Sequence, residues 1–289
     1  MIADYHIHSE FSDDSREPME NQIERGIEIH LDEMCFTDHV DYGIKRDQDD
    51  PRGIVYRQVD DAGNTEPMSN VNYPLYFDKI HHMQKKYADR ITIKAGLEFG
   101  IQSITIQDFE KLYDRYNKDL DFILLSMHQV NNQEFWNGEY FKGRTQKEYN
   151  DSYYEEIYKV QKSFKHYSVL AHLDFLTRYD PAGPYPFEKE EDKIAEILKQ
   201  AIRDDKGIEI NTSSWHYGLR DTQPSRKILK LYKDLGGKIF TFGSDAHKTE
   251  YLGDHFKDAQ RIVRGEIGLK QFCTFDHMKP VFHDIIVTL

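Results

Sequence analysis

Cysteine is almost absent. Cys35 and Cys273 are the two thiols in 289 residues; they lie far apart and outside any Cys-x-x-Cys spacing, so a disulfide is not required. Cys35 sits in Met34-Cys35-Phe36-Thr37, which reads as a buried strand, and it is expected to pack as a small hydrophobe rather than act as a nucleophile. Long apolar runs are missing as well: none approaches about 18 residues, and no positively charged leader precedes an apolar stretch. Neither membrane spanning nor secretion is expected, and a cytoplasmic protein is. Basic charge is in short supply, with Lys+Arg at 38 against Asp+Glu at 51 and a net charge of −13. No Lys/Arg stripe stands out, which argues against a nucleic-acid partner. No internal repeat, low-complexity tract or Gly/Ser linker divides the chain, and its length suits one large domain or two small ones.

What the chain does have is histidine, 14 in all, which calls for many solvated sites or a metal cluster. Two dipeptide-spaced pairs stand out. The apolar run Lys238–Phe242 leads into Gly243-Ser244-Asp245-Ala246-His247, and the chain opens with Ile2-Ala3-Asp4-Tyr5 leading into His6-Ile7-His8. Residues i and i+2 of a strand share a face, so each pair can aim two donors into one cavity.

Seven short apolar runs are expected as strands: Ile2–Tyr5, Glu33–Phe36, Ile91–Leu97, Phe122–Leu125, Ser168–Leu170, Gly207–Ile210 and Lys238–Phe242. Between and after them fit helical stretches, Pro18–Ile29, Tyr73–Tyr87, Thr105–Tyr116, Thr145–Lys165, Phe187–Asp204, Pro224–Leu235 and His255–Arg264. In the fifth, Ile194, Ile197, Leu198 and Ile202 form an apolar stripe at helical spacing. Alternation of this kind predicts parallel βα units and an α/β barrel. Two stretches break it. Tyr42 to Asn72 is long and polar enough to be a lid, and Asn131 to Arg144 carries Phe135, Trp136, Tyr140 and Phe141, too aromatic for a solvated loop and suited to a pocket wall.

Metal-competent side chains follow the strands with regularity: His6 and His8 the first, Asp38 and His39 the second, Glu98 the third, His128 the fourth, His172 the fifth, Asp245 and His247 the seventh, with Glu209-Ile210-Asn211-Thr212 ending the sixth. In α/β barrels the C-terminal strand ends form the active-site face, so this distribution predicts a site. His6, His8, Asp14, His39, Glu98, His128, His172, Asp245 and His247 offer more donors than the three or four protein ligands of one catalytic ion. Two or three ions are implied, with Glu98 the natural bridge.

These motifs resemble the PHP superfamily (polymerase and histidinol phosphatase), and within it the histidinol-phosphate phosphatase branch. The resemblance rests on His-Ile-His-Ser-Glu-Phe-Ser-Asp-Asp at 6–14, Phe-Thr-Asp-His at 36–39, Gly-Leu-Glu at 96–98, Ser-Met-His at 126–128, Ala-His-Leu-Asp at 171–174, Glu-Ile-Asn-Thr-Ser at 209–213 and Gly-Ser-Asp-Ala-His at 243–247. It implies a single distorted (β/α)7 barrel over residues 1–289 with a trinuclear centre of zinc, iron or manganese. Carried over, His6, His8, Glu98 and Asp245 would hold the first ion, Asp14, His39 and His247 the second, and Glu98, His128 and His172 the third. Several relatives have a histidine where Asp14 stands, and Asp13 beside it is an equally hard ligand.

The resemblance further implies a phosphomonoesterase of L-histidinol phosphate, in which a metal-generated hydroxide attacks phosphorus in line. Glu98 and Asp245 would serve catalysis through the metals. Arg220 is the expected phosphate clamp, and Asp174 or His216, unless a water serves, would protonate the leaving group. Asn211, Ser213, Trp215 and His216 join Arg220 as expected substrate contacts. An acidic rim suits an ammonium and aromatic walls suit an imidazole. Two other readings compete: a nuclease-like phosphodiesterase, which the −13 charge disfavours, and a metal-stabilised binding barrel without activity, which would be expected to lack ligands.

Overall fold

The computed structural model describes residues 1–41, 56–58, 62–63, 65–67 and 71–286. Seven strands form one parallel sheet in sequence order: β1 (Ala3–Ile7), β2 (Glu33–Phe36), β3 (Thr92–Gly100), β4 (Phe122–Ser126), β5 (Val169–Leu170), β6 (Gly207–Asn211) and β7 (Phe240–Gly243). Each is one of the expected runs, β2 with the expected bounds and the others displaced by one to three residues at one or both ends. A two-residue strand, His39–Val40, adds to β3 by pairing His39 with Glu98. The sheet then curls back on itself. Ile7 bridges Ala246 in parallel, the His8 amide donates to the Ala246 carbonyl at 3.0 Å, and the Asp245 amide donates to the His6 carbonyl at 2.8 Å. Closure is thus made by the backbone of the residues that carry candidate ligands, which fixes the first and last pairs beside one another.

Strand sides are almost wholly buried, as expected where helices cover a parallel sheet. The helices are α1 (Met19–Glu28), α2 (Tyr73–Lys86), α3 (Ile106–Tyr116), α4 (Gln146–Ser163), α5 (Glu191–Arg203), α6 (Arg226–Asp234) and α7 (Phe256–Arg261), the last running on as a π-turn over Ile262–Ile267. Local chemistry sets their starts: Thr145 and Glu148 form a reciprocal capping box on α4, and the Asn72 side chain caps α2, each satisfying amides that the first turn leaves unpaired. On α5 the buried stripe is Ile194, Ile197, Leu198 and Ala201, with Ile202 half-buried beside it. At Gly96 a Cβ would lie 2.8 Å from Cys35 Sγ and 2.9 Å from the Phe36 carbonyl; only glycine lets β2 and β3 pack this closely.

A feature with no sequence expectation closes the N-terminal end of the barrel. The antiparallel hairpin β8 (Gln271–Asp276) and β9 (Lys279–Asp284) lays Phe272, Cys273 and Phe275 into the core. The expected lid, Tyr42 to Asn72, falls largely outside the described residues; within it, Tyr56–Gln58 pairs antiparallel with Thr65–Pro67. Among the described residues no helix is long and apolar enough to cross a membrane.

Candidate metal centre

The strand ends converge on one cavity of about 710 Å³ lined by residues that include Asp14, His39, Glu98, His128, His172, Asp245 and His247. His6 and His8 lie fully buried beneath them. Glu98, at the centre, has no solvent exposure and divides its carboxylate. Its Oε2 lies 3.1 Å from His6 Nε2, 3.5 Å from His8 Nε2 and 3.0 Å from His39 Nδ1. Its Oε1 lies 3.1 Å from His128 Nε2 and 2.9 Å from His172 Nε2. Asp245 Oδ1 stands 3.4 Å and 3.3 Å from the Nε2 atoms of His6 and His8. Half-exposed at the rim, Asp14 places Oδ2 3.4 Å from His39 Nε2 and 3.2 Å from His247 Nε2. Asp13 lines the same cavity.

Such a set fits cations better than it fits itself. The Nε2 atoms of His6, His8 and His247 and Oε2 of Glu98 are buried and make no hydrogen bond, although each has an opposite partner within 3.0–3.5 Å. Two ligands on a tetrahedral ion at about 2.0–2.1 Å sit about 3.3 Å apart. Lone pairs that approach to that distance without hydrogen-bond geometry are aimed at a shared point. Three-membered donor groups recur across the cluster, among them His6-His8-Glu98, His8-His39-His247 and Glu98-His128-His172.

Electrostatics show the same tension. Burial opposes ionisation of Glu98, but His6, His128 and His39 hold it well below the usual carboxylate range. Asp245 is likewise held low against burial by His6, His8 and Arg178, and Asp14 against desolvation by His247 and His39. The rings are driven apart. Burial and the neighbouring His247 and His39 push His8 well down, while His128, against the effect of burial, rises to about 9 beside Asp41 and Glu98. A buried cluster left in this state is costly, and divalent cations would relieve it.

Most metal-competent rings are turned by a partner on their far nitrogen. His6 Nδ1 lies 2.6 Å from Glu209 Oε1; His128 Nδ1 lies 3.1 Å from both Asp41 oxygens; His8 Nδ1 meets Ser12 Oγ, which donates to Asp38 at 2.7 Å; His247 Nδ1 meets the Asp245 carbonyl. Carboxylate–histidine pairing of this kind orients ligands and raises their basicity. Glycine makes room for it. A Cβ at Gly243 would fall 2.1 Å from Glu209 Oε1, and one at Gly100 would fall 1.5 Å from Asp41 Oδ1. Asp245 holds a left-handed φ of 57°, which puts a non-glycine residue under strain at the closure point.

Comparison with known proteins agrees with this geometry. The PHP domain family model matches residues 4–213. The chain belongs to the PHP family. A histidinol-phosphatase of Lactococcus lactis subsp. lactis (strain IL1403) is 30% identical to this PHP chain over 284 residues, covering 96% of the chain and 95% of the relative. A histidinol-phosphatase of Saccharomyces cerevisiae is 22% identical over 312 residues, covering 93% and 90%. The crystal structure of the Lactococcus lactis histidinol phosphate phosphatase, complexed with zinc, L-histidinol and phosphate, superimposes with a TM-score of 0.79 at 28% identity, covering 97% of this chain and 98% of that one.

The PHP barrel does not gather every residue expected of its site. Arg220 is exposed and does not line the cavity, because the turn after Ser213–Trp215 carries it outward; the arginine that lines the cavity is Arg178. Asp174 is buried with Oδ2 accepting from the Ser225 amide at 2.9 Å, and desolvation raises it to about 7; it stabilises a turn outside the cavity lining. Trp215 stacks on His255, centroids 5.0 Å apart, and is not a wall. Asn211 is buried behind the lining and donates to Asp245 at 3.4 Å. Ser213 and His216 do line the cavity. Of the aromatic stretch, Phe135 and Trp136 form wall, whereas Tyr140 and Phe141 turn into the core against Tyr149.

Arg178, Glu209 and Asp41 are the residues that sequence reasoning misses. Arg178 has a side chain 2% exposed and reaches Asp245 Oδ2 with Nη1 at 3.1 Å, Ser213 Oγ with Nη2 at 2.6 Å and Asn211 Oδ1 with Nη2 at 3.3 Å, while Nε–H donates to Gln223 Oε1. Its guanidinium lies between the Phe175 and Tyr217 rings, 4.7 and 4.6 Å from their centroids. It ends the 3-10 turn Phe175–Arg178, which carries no motif. Glu209 was detectable, being two residues before Asn211 on a strand whose end faces the cavity.

Proposed function

We propose that this PHP protein hydrolyses L-histidinol phosphate to L-histidinol and inorganic phosphate, acting as one barrel domain over residues 1–289. The observation that carries the reading is the division of the cavity. Its floor is the polynuclear donor set, its wall presents Arg178, and its rim combines Trp136, Tyr179 and Tyr217 with the carboxylates of Glu134 and Asp254. A phosphate suits the floor, an imidazole the aromatic rim and an ammonium the carboxylates. The similarity to histidinol-phosphatases over nearly the whole chain supports the same substrate.

His6, His8, Glu98 and Asp245 would hold one ion, Asp14, His39 and His247 a second, and Glu98, His128 and His172 a third, with the two Glu98 oxygens turned to different histidine sets. Those residues would hold divalent ions, whose chemistry when bound would be neutralisation of phosphoryl oxygens and activation of a water near neutral pH. The chain's own residues do the rest. Arg178 is held by Gln223, Asp245, Ser213 and Asn211 and lines the cavity, where its guanidinium can donate to a phosphoryl oxygen. Its rigid packing positions that donor before substrate arrives. Of the two expected proton donors, His216 lines the cavity and Asp174 does not, which supports His216 as the donor to the leaving alkoxide. The free, buried Cys35 and Cys273 suit a reducing cytoplasm.

Zinc- or manganese-loaded protein should prefer histidinol phosphate over p-nitrophenyl phosphate, sugar phosphates and nucleotides by at least about a hundredfold in kcat/KM, because a site with buried polar groups rejects substrates that leave them unpaired. A comparable rate on nucleotides or phosphodiesters would favour the nuclease-like reading instead.

A further inference from the structure

We infer that Gln223 is a positioning residue that sets the working orientation of Arg178. Gln223 is 1% exposed, and its backbone is pinned to the end of β6 in both directions: its amide donates to the Asn211 carbonyl at 3.1 Å and its carbonyl accepts from the Asn211 amide at 2.7 Å. From that fixed base the side chain spans to the loop after β5. Nε2 donates to the Asp174 carbonyl at 3.2 Å, and Oε1 accepts the Nε–H of Arg178. The amide cannot be reversed, since a flip would set oxygen against the Asp174 carbonyl and N–H against a guanidinium N–H. One carboxamide therefore fixes both the loop that carries Arg178 and the rotation of its guanidinium about Nε. Asn211, held by the same bridge, contacts the far end of that guanidinium through Oδ1.

Because Nε is engaged by Gln223, the terminal nitrogens are directed to Asp245, Ser213 and the cavity. Without that bond the guanidinium keeps its terminal contacts to Asp245, Ser213 and Asn211 but loses its anchor at Nε, and the Phe175 and Tyr217 faces, which hold it by position above a ring rather than by direction, do not replace that anchor. Loss of Gln223 should then lower the fraction of protein in which Arg178 meets a phosphoryl oxygen, without exposing core. Gln223 touches no reacting atom; its whole effect passes through Arg178.

The test is Gln223→Met in the metal-loaded full chain, which keeps length and the backbone bridge and removes both side-chain hydrogen bonds. The Arg178 Nε–H nuclear magnetic resonance signal, assigned by its loss in Arg178→Lys, should exchange with solvent at least about tenfold faster than in the wild type. Turnover of histidinol phosphate, the arm that rests on the proposed function, should fall about tenfold or more in kcat/KM, with Tm within about 3 °C. In an Arg178→Ala background the same substitution should cost nothing further, because coupled residues do not add. Unchanged Nε–H exchange, or losses that multiply in the double variant, would overturn the inference. Should Gln223→Met not fold, Gln223→Asn withdraws the same amide by one methylene and must show the faster exchange; normal exchange there is equally fatal. If the wild type leaves histidinol phosphate intact while exchange still rises in the variant, the substrate reading fails and the positioning role stands.

Discussion

At the N-terminal pole of the barrel, Tyr5 donates to Glu33 and accepts from the Phe275 amide at 2.8 Å, Lys94 Nζ meets Asp276 Oδ1 at 2.7 Å, and Asp121 accepts from the amides of Ala95 and His277. At the C-terminal pole, Glu98, His6, His8, His39 and His172 are buried as deeply as Tyr5 and Glu33, yet His6 Nε2, His8 Nε2 and Glu98 Oε2 make no hydrogen bond. Both ends of the same strands bury polar groups, and burial alone does not separate structure from function. Satisfaction does. The lower pole is completed by the chain's own hairpin, while the upper pole is shaped for something the chain does not encode.

The comparison breaks most severely at Glu98. Glu98→Gln preserves shape and removes the charge that two histidine sets share, so metal content should drop and kcat fall on the order of a thousandfold. Near-wild-type turnover would show that the bridge lies elsewhere. A gentler cut separates two arginines: Arg178→Ala should cost about 1.5–3 kcal/mol of transition-state stabilisation, a tenfold to hundredfold loss in kcat/KM, whereas exposed Arg220→Ala should leave kinetics unchanged.

The lower pole should respond in the opposite sense. Tyr5→Phe strips Glu33 and the Phe275 amide of a partner and should destabilise by about 1–3 kcal/mol in urea unfolding, with kcat/KM unaltered in the folded protein. A loss of rate without a loss of stability would erase the distinction between the poles.

Smallest is a pH effect away from both poles. Glu190, mostly buried at the start of α5, is raised from 4.5 to about 7 by desolvation and then by Asp151. Its folded-state value lies above its unfolded one, so the stability linked to it is complete below about 4.5, declines as pH rises, and is lost above about 7. Glu190→Gln should flatten that decline, seen as a smaller difference in urea midpoint between pH 5 and pH 8 than in the wild type.

The barrel was legible because its signals are local and repeated: β-branched and aromatic runs, amphipathic helices, and a donor after nearly every strand. What was not legible depends on contacts across the sequence. Arg178 reaches the site through a 3-10 turn whose direction is set by Gln223, 45 residues away. Hairpin β8–β9 turns through His277 and Met278 in left-handed conformations, with no Asn or Gly to announce it. Arg220 misleads because a turn sequence does not say which way its side chain leaves.

Elemental analysis of purified protein reconstituted with zinc or manganese, counting ions per chain, tests the account at its centre. The donor geometry predicts more than one ion per chain, with Glu98→Gln reducing that count. A single ion or none in the wild type would mean that the upper pole, like the lower, is satisfied by the protein itself.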